Sequence, residues 1–363
     1  MNKFRFLTSG ESHGICLNAI IDGLPSNLHV DMDFVNSKLA QRQTGYGRGA
    51  RMQIEKDKVQ IKSGVRFGKT TGAPVCLEIE NKDWQNWTIP MSVENVDVSN
   101  HEIAKLVEEK KITNVRPGHA DLSGAIKYNH NDVRNVLERS SARETATRVA
   151  VGAIAQCLLK EFGIIGETKI LQIGTAFDED SMKVEIDKAK EAGDTLGGSF
   201  EVIFKNVPVG LGSFVHWDRR LDGKLAQAIM SIPAVKSVEI GAGAQVAQMT
   251  GLQTHDEIFY ENGKYFRKTN NAGGIEGGMT NGEDIVIRAT MKAIPTMKKP
   301  LKSVNIETKE SYEAHFERSD TCAVEACAVV AEAMISIVLA DAFLDKFGGD
   351  SIDEIKRNFQ TGK

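Results

Sequence analysis

Cysteine is scarce and unpatterned in this chain. Cys16, Cys76, Cys157, Cys322 and Cys327 make an odd count with no C-x-x-C pair. Four of them sit in apolar runs, where a free thiol behaves as a small hydrophobe. This excludes a disulfide scaffold and a structural zinc site, and it fits a reduced, cytosolic protein. Excess positive charge is missing as well. The formal net charge is −4, whereas a nucleic-acid binder needs a basic domain or stripe, so no nucleic-acid partner is expected. The opening residues, MNKFRFLTSGESHG, lack the apolar stretch that follows the basic start of a secretory signal, so a cytoplasmic location is expected. The longest apolar run, 323–342, is interrupted by Glu325, Glu332 and Asp341. A membrane span tolerates such charges poorly, which makes the run a buried helix and leaves no membrane partner to expect.

Several catalytic signatures are also absent. There is no Walker motif, no nucleophile elbow, no G-x-G-x-x-G in a βαβ setting, and no His/Cys spacing suited to a metal. Pro- or Ser-rich linkers, low-complexity tracts and period repeats are lacking too, so one continuous domain is expected over 1–363. Apolar residues at 41% and charged residues at 26% are ordinary for a globular chain, and the length suffices for a large core.

What is present falls into groups of strands and groups of helices. Strands are expected at 4–8, 19–21, 59–65, 75–79, 170–176, 199–207, 244–249 and 284–292. Helices are expected at 33–43, with Asp31 or Asp33 as cap, and at 222–231 and 322–347. The clearest helix is 141–162. Ser141 can cap it, Glu144 can complete a capping box, apolar residues recur at helical spacing, and Gly163 is a natural stop. Grouped rather than alternating elements favour α+β layers with antiparallel sheet.

Six loop segments are dense in glycine, histidine, arginine or hydroxyls. In Gly10-Glu11-Ser12-His13-Gly14, glycines let the backbone approach a ligand and His13 can move a proton near neutral pH; the plainer reading is a tight turn with a hydrogen-bonded histidine. The stretch 42–51 sets Arg42, Arg48 and Arg51 among glycines, either an anion clamp or a solvated basic loop. In 116–121, a Pro-Gly turn brings Arg116 and His119 together, suited to a phosphate leaving group, or simply makes a structural turn with an Arg–Asp pair. Arg139, Ser140, Ser141 and Arg143 gather at the start of the clearest helix, where free N–H groups favour anions; an ordinary cap with surface arginines would look similar. Segment 270–278 has four glycines in six residues and permits a backbone-lined cradle, or else a long flexible loop. Finally, Arg318-Ser319-Asp320 precedes the last long helix, as cap or as anion contact plus acid–base group. Loop arginines on a net negative chain imply a pocket for phosphorylated small molecules. The residues themselves lead to an anion-binding chain, most readily an enzyme.

These segments resemble the chorismate synthase family in order and nearly end to end. The carriers are G-E-S-H-G with Ile20-Ile21-Asp22-Gly23-Leu24-Pro25, R-P-G-H-A-D at 116–121, R-S-S-A-R-E-T at 139–145, MSIPAVKSVEIG at 230–241, NNAGGIEGG at 270–278, and R-S-D at 318–320. The resemblance implies a β-α-β sandwich of antiparallel sheets and helices, a homotetramer, and reduced FMN. It also implies 1,4-anti elimination of phosphate from 5-enolpyruvylshikimate 3-phosphate without net redox change, with NADPH as flavin reductant in some members. By motif, His13 lies against the flavin, His119 donates to the departing phosphate, and Asp320 works in removal of the C6 proton. Arg139, Ser140, Ser141, Ala234, Gly277, Lys292, Ala293, Ile294, Pro295, Thr296 and Arg318 fall at flavin contacts. Arg42, Arg48, Arg116 and Arg143 fall at substrate or NADPH contacts. The chain departs from the commonest pattern at Gln41, Gln43, Pro233 and 135–138. Two rival functions would use the same pocket: a flavin oxidoreductase with net hydride transfer, which would consume NAD(P)H stoichiometrically, and a non-catalytic phospholigand or RNA binder, whose binding would fall steeply with salt.

Overall fold

A computed structural model describes residues 3–49, 56–314 and 320–362. The first sheet runs β1 (Arg5–Ser9), β2 (Cys16–Asp22), β3 (Val59–Ser63) and β4 (Val75–Glu80), in spatial order β1-β2-β4-β3 with every pair antiparallel. Alternation sets its faces: Leu17, Ala19 and Ile21 of β2 and Val75, Leu77 and Ile79 of β4 are buried, while their neighbours face outward. The second sheet contains β5 (Ile165–Ile173), β6 (Gly198–Lys205), β7 (Val235–Ile240) and β8 (Ile285–Met291). It is ordered β5-β6-β8-β7, again antiparallel throughout. Phe200, Val202, Phe204, Ile285, Ile287 and Ala289 form its buried face.

Helices fill the space between the buried faces and flank the sheets. They are α1 (Met32–Gln43), α2 (His101–Lys110), α3 (Asp121–Tyr128), α4 (Arg134–Ser140), α5 (Thr145–Lys160), α6 (Glu179–Ala192), α7 (Leu221–Met230), α8 (Val324–Phe347) and α9 (Ile352–Thr361). Helix α5 rests on the first sheet, α8 rests on the second, and the two pack on each other. That is the expected β-α-β sandwich in the α+β class. Because both helices are enclosed, they are apolar nearly all round rather than striped. This explains the run at 323–342: α8 is the one helix among the described residues long and apolar enough to cross a membrane, and 94% of its apolar window is buried in the fold. Its charges are compensated. Glu332 receives Lys38 at 2.7 Å, and Asp341 takes the Lys3 and Phe4 amides. Gly152 of α5 permits the close helix contact, since a Cβ there would lie 2.4 Å from that of Ala333.

Three local expectations are corrected. Residues 244–249 are not a strand; Gly243–Gln248 is a 3-10 helix, started by a left-handed Gly243 that turns the chain away from β7. The strand expected at 170–176 is β5, which begins earlier and ends in a turn at Gly174. The helix expected from Ser141 begins as a 3-10 turn, Ala142–Glu144, before α5. Ser141 does cap it, by accepting from the Arg143 amide, but no capping box forms because the Glu144 carboxylate is taken by Arg148 at 2.7 Å. At the other end Gly163 behaves as expected. It is left-handed, and its amide with that of Ile164 closes the carbonyls of Lys160 and Leu159.

Candidate functional site

The loop between β1 and β2 carries His13. Gly10 begins it with φ +102°, where a Cβ would collide with the Cys16 carbonyl. The loop is clamped to the end of α4: the Ser12 amide donates to the Glu138 carbonyl at 3.0 Å, and the His13 amide to the Glu138 carboxylate at 2.7 Å. The same carboxylate meets the imidazole Nδ1 at 2.8 Å and accepts from Arg134 at 3.0 Å. Trp87 stacks on the imidazole at 4.1 Å between centroids. Burial pushes the Glu138 carboxyl up, but the donors from His13 and Arg134 outweigh it and hold the group below its ordinary range.

His119 is held in the same way. The turn at 116–120 places its Nδ1 2.5 Å from Asp121, at the head of α3. Asp121 also takes the Arg116 amide at 3.0 Å and its guanidinium at 2.8 and 3.0 Å. Burial opposes the Asp121 charge, yet the His119 and Arg116 hydrogen bonds keep the carboxyl far below the usual range. Arg116 reaches on to Thr296 at 3.3 Å, and Lys292 Nζ donates to the Gly118 carbonyl. The expected segment 292–296 therefore lies against the His119 turn. For both histidines, no group among the described residues bonds Nε2.

The arginines divide. Arg42 is buried and committed to Thr145 at 3.0 Å, the Ala142 carbonyl at 3.1 Å and Asp57 at 3.4 Å. Burial pushes its guanidinium down to about 10, against the pull of Asp57. Arg143 is buried too, on Asp57 at 2.5 Å and Asn81 at 3.1 Å. Asn81 in turn donates to the carbonyls of Glu11 and Gly14, which joins this network to the His13 loop. Arg48 instead pairs with Asp320 at 2.7 Å, and the Gly49 amide donates to the same carboxylate at 2.6 Å. The glycine loop thus folds over Asp320, while Thr321 is tied to the Gly47 carbonyl and to Leu196. Arg318 and Arg51 lie outside the described residues.

Of the expected flavin contacts, Arg139 braces the end of β1 by donating to the carbonyls of Thr8 and Gly10. Ser141 Oγ bonds Ser12 Oγ at 3.3 Å, and Ser140 lies one residue before it at the end of α4. Ala234, a non-glycine residue at φ +72°, takes the Lys292 amide on its carbonyl. Ala293, Ile294, Pro295 and Thr296 follow directly, and Thr195 holds the Ile294 carbonyl at 2.7 Å. Gly277 faces open space, with nothing within 4 Å of a built Cβ. A cavity of about 320 Å³ beside the glycine cradle is lined by Ile240, Thr254, His255, Asp256, Asn271 and Glu276 among others, and none of the expected contacts borders it. Among the described residues no cluster of His, Cys, Asp or Glu could hold a metal.

Sequence reasoning missed Asp57, Asn81 and Trp87, and gave Glu138 no role. Asp57, in a charged stretch, had no signal. Glu138 had one, because it stands four residues after Arg134 on a helix, an ion-pair spacing.

A family model described as chorismate synthase matches residues 4–344. A chorismate synthase of Caldanaerobacter subterraneus subsp. tengcongensis is 55% identical over 361 residues, covering 98% of this chain and 97% of the relative. That of Thermoanaerobacter pseudethanolicus is 54% identical with the same coverage. A solved structure, described as the crystal structure of chorismate synthase, superposes with TM-score 0.78 at 41% identity, covering 99% of this chain and 97% of the other.

Proposed function

The chain belongs to the chorismate synthase family, and from that premise we propose how its own residues carry the reaction. The protein is a lyase that converts 5-enolpyruvylshikimate 3-phosphate to chorismate. The C3–O bond breaks with its electron pair leaving on phosphate, a proton leaves C6, and a second ring double bond forms. Family members require a reduced flavin. That cofactor is FMN in our proposal; when bound, it lends electron density to the substrate and regains it, so no net redox change results.

The observation that carries the assignment of roles is the shared geometry of the histidines. Each imidazole is anchored through Nδ1 on a buried carboxylate, which leaves Nε2 to hold or move a proton. His119, beside Arg116, donates to the departing phosphate while the guanidinium offsets its charge. His13 keeps a proton against the flavin. Asp320 takes part in removing the C6 proton, which requires Arg48 to release its carboxylate.

The residues fit a flavin phosphate. Ser140, Ser141 and Arg139 gather just before α5, and the motif assigns Arg318 to the same anion. Gly277 leaves open space, and the amides of Ala293 and Ile294 have no acceptor among the described residues. Lys292, Pro295 and Thr296 complete that segment, and Ala234, just before β7, supports it by accepting the Lys292 amide. Arg42 and Arg143 are too committed to Asp57 to meet a ligand directly, so they shape the pocket wall. Arg48 is the better partner for an NADPH phosphate, where NADPH serves as reductant. Our reading is of a cytoplasmic homotetramer with no nucleic-acid or membrane partner. Titration of flavin fluorescence with substrate present tests the cofactor: saturation in the micromolar range supports FMN, and absence of binding at high micromolar FMN overturns it.

A further inference from the structure

We propose that Glu138 is a positioning residue that fixes the tautomer and the orientation of His13 for the reaction, an inference that rests on the role given to His13 above. Glu138 is almost wholly enclosed, its side chain only 1% exposed, and His13 is nearly so at 8%. A buried carboxylate is costly unless its acceptor sites are filled. Here they are filled by three donors of different origin: the His13 amide, the His13 Nδ1–H, and Arg134 one turn earlier on α4. With the carboxylate ionised, Nδ1 must be the protonated nitrogen, and the ring is fixed with Nε2 directed away from Glu138.

Trp87 closes one side of the imidazole and is itself contacted by Arg134, with the guanidinium 4.8 Å from its ring, and by Lys110 at 4.4 Å. Glu11 is the remaining charged group of the His13 loop. Two cations, Arg134 on α4 and Lys110 on α2, therefore border Trp87, and Glu138 is the anion in direct contact with the imidazole. The clamp through the Glu138 main chain, Ser12 amide to carbonyl, does not depend on the side chain, so positioning and loop holding are separable by substitution.

Glu138→Gln keeps shape and an acceptor oxygen but removes the charge. We expect a folded enzyme that binds FMN within about threefold of the parent. Its kcat should fall roughly 10- to 100-fold, a part of the about 10²- to 10⁴-fold that a positioned acid–base group contributes, with little change in KM. The imidazole should lose its fixed Nδ1–H form in histidine ¹⁵N spectra, which loss of a mere loop clamp would not cause. Adding Glu138→Gln to His13→Ala should cost no further rate, since Glu138 acts through that ring. Near-normal kcat with an unchanged histidine ¹⁵N spectrum in a folded Glu138→Gln enzyme would overturn the inference and leave the His13 role standing. Near-normal turnover in His13→Ala would remove the role itself. Should the glutamine variant not fold, histidine ¹⁵N spectra of the parent decide: Nδ1 protonated from pH 6 to 8 supports the assignment, and a bare Nδ1 contradicts it.

Discussion

At the scale of residues, the site is organised by buried carboxylates rather than by its cations. Glu138, Asp121 and Asp57 each bind an arginine, and the first two also orient a histidine. His13→Ala and His119→Ala should each lose roughly 10²- to 10⁴-fold in rate, the usual worth of a general acid–base group, while folding and FMN binding survive. Anaerobic single-turnover kinetics on folded variants check this, and near-normal turnover across pH 6 to 8 would make that histidine a turn residue only. The same carboxylates set the acid limit of stability. A carboxyl whose pKa falls on folding contributes stability that is fully present above its unfolded value of about 4 and is lost as pH falls through the folded one. Asp121 and Glu138 both have lowered values. Melting temperature should therefore drop below about pH 4, and Asp121→Asn should flatten that drop. An unchanged slope in the variant would mean that other groups govern acid unfolding.

At the scale of elements, the sandwich depends on how closely α5 and α8 approach. Gly152→Ala places a methyl 2.4 Å from the Ala333 Cβ and 2.6 Å from its carbonyl oxygen, so backbone must move. Overpacking of this kind costs about 1–3 kcal/mol; the melting temperature should fall by several degrees while KM stays near normal. An unchanged melting temperature would show that the helices separate freely. Elements with strong local signals were legible in the chain: α1 with its Asp31 cap, α5 with its Gly163 stop, and β4 with strict alternation. The stretch 244–249 was misread: Gln245 and Gln248 recur at a spacing of three, the repeat of a 3-10 turn and not of a strand, and a left-handed Gly243 starts it. Local geometry was legible within a motif, since the Pro-Gly turn does bring Arg116 and His119 together, 3.1 Å apart. The site was not legible where partners lie far apart in sequence. Asp57 meets Arg143 across 86 positions, and Asp320 meets Gly49 across 271, separations over which no local pattern carries information.

At the scale of the whole molecule, a chain with net charge −4 leaves apolar groups on its outside. Phe214, Val215 and Trp217 along one loop are exposed in the single chain, as is Leu252 in the short helix Gly251–Thr254, and exposed apolar groups close in sequence, like the first three, suit an association surface. Light scattering should report a homotetramer across the micromolar range, and a stable monomer would contradict that assembly. The flavin-dependent elimination proposed for these sheets and helices is open to a single anaerobic assay. Chemically reduced FMN at substoichiometric concentration is mixed with the protein and 5-enolpyruvylshikimate 3-phosphate, and chorismate absorbance is followed with flavin absorbance. Many turnovers of chorismate per flavin are expected, with the flavin still reduced at the end and no nicotinamide consumed. Absence of chorismate, or oxidation of one flavin for each product formed, would contradict it.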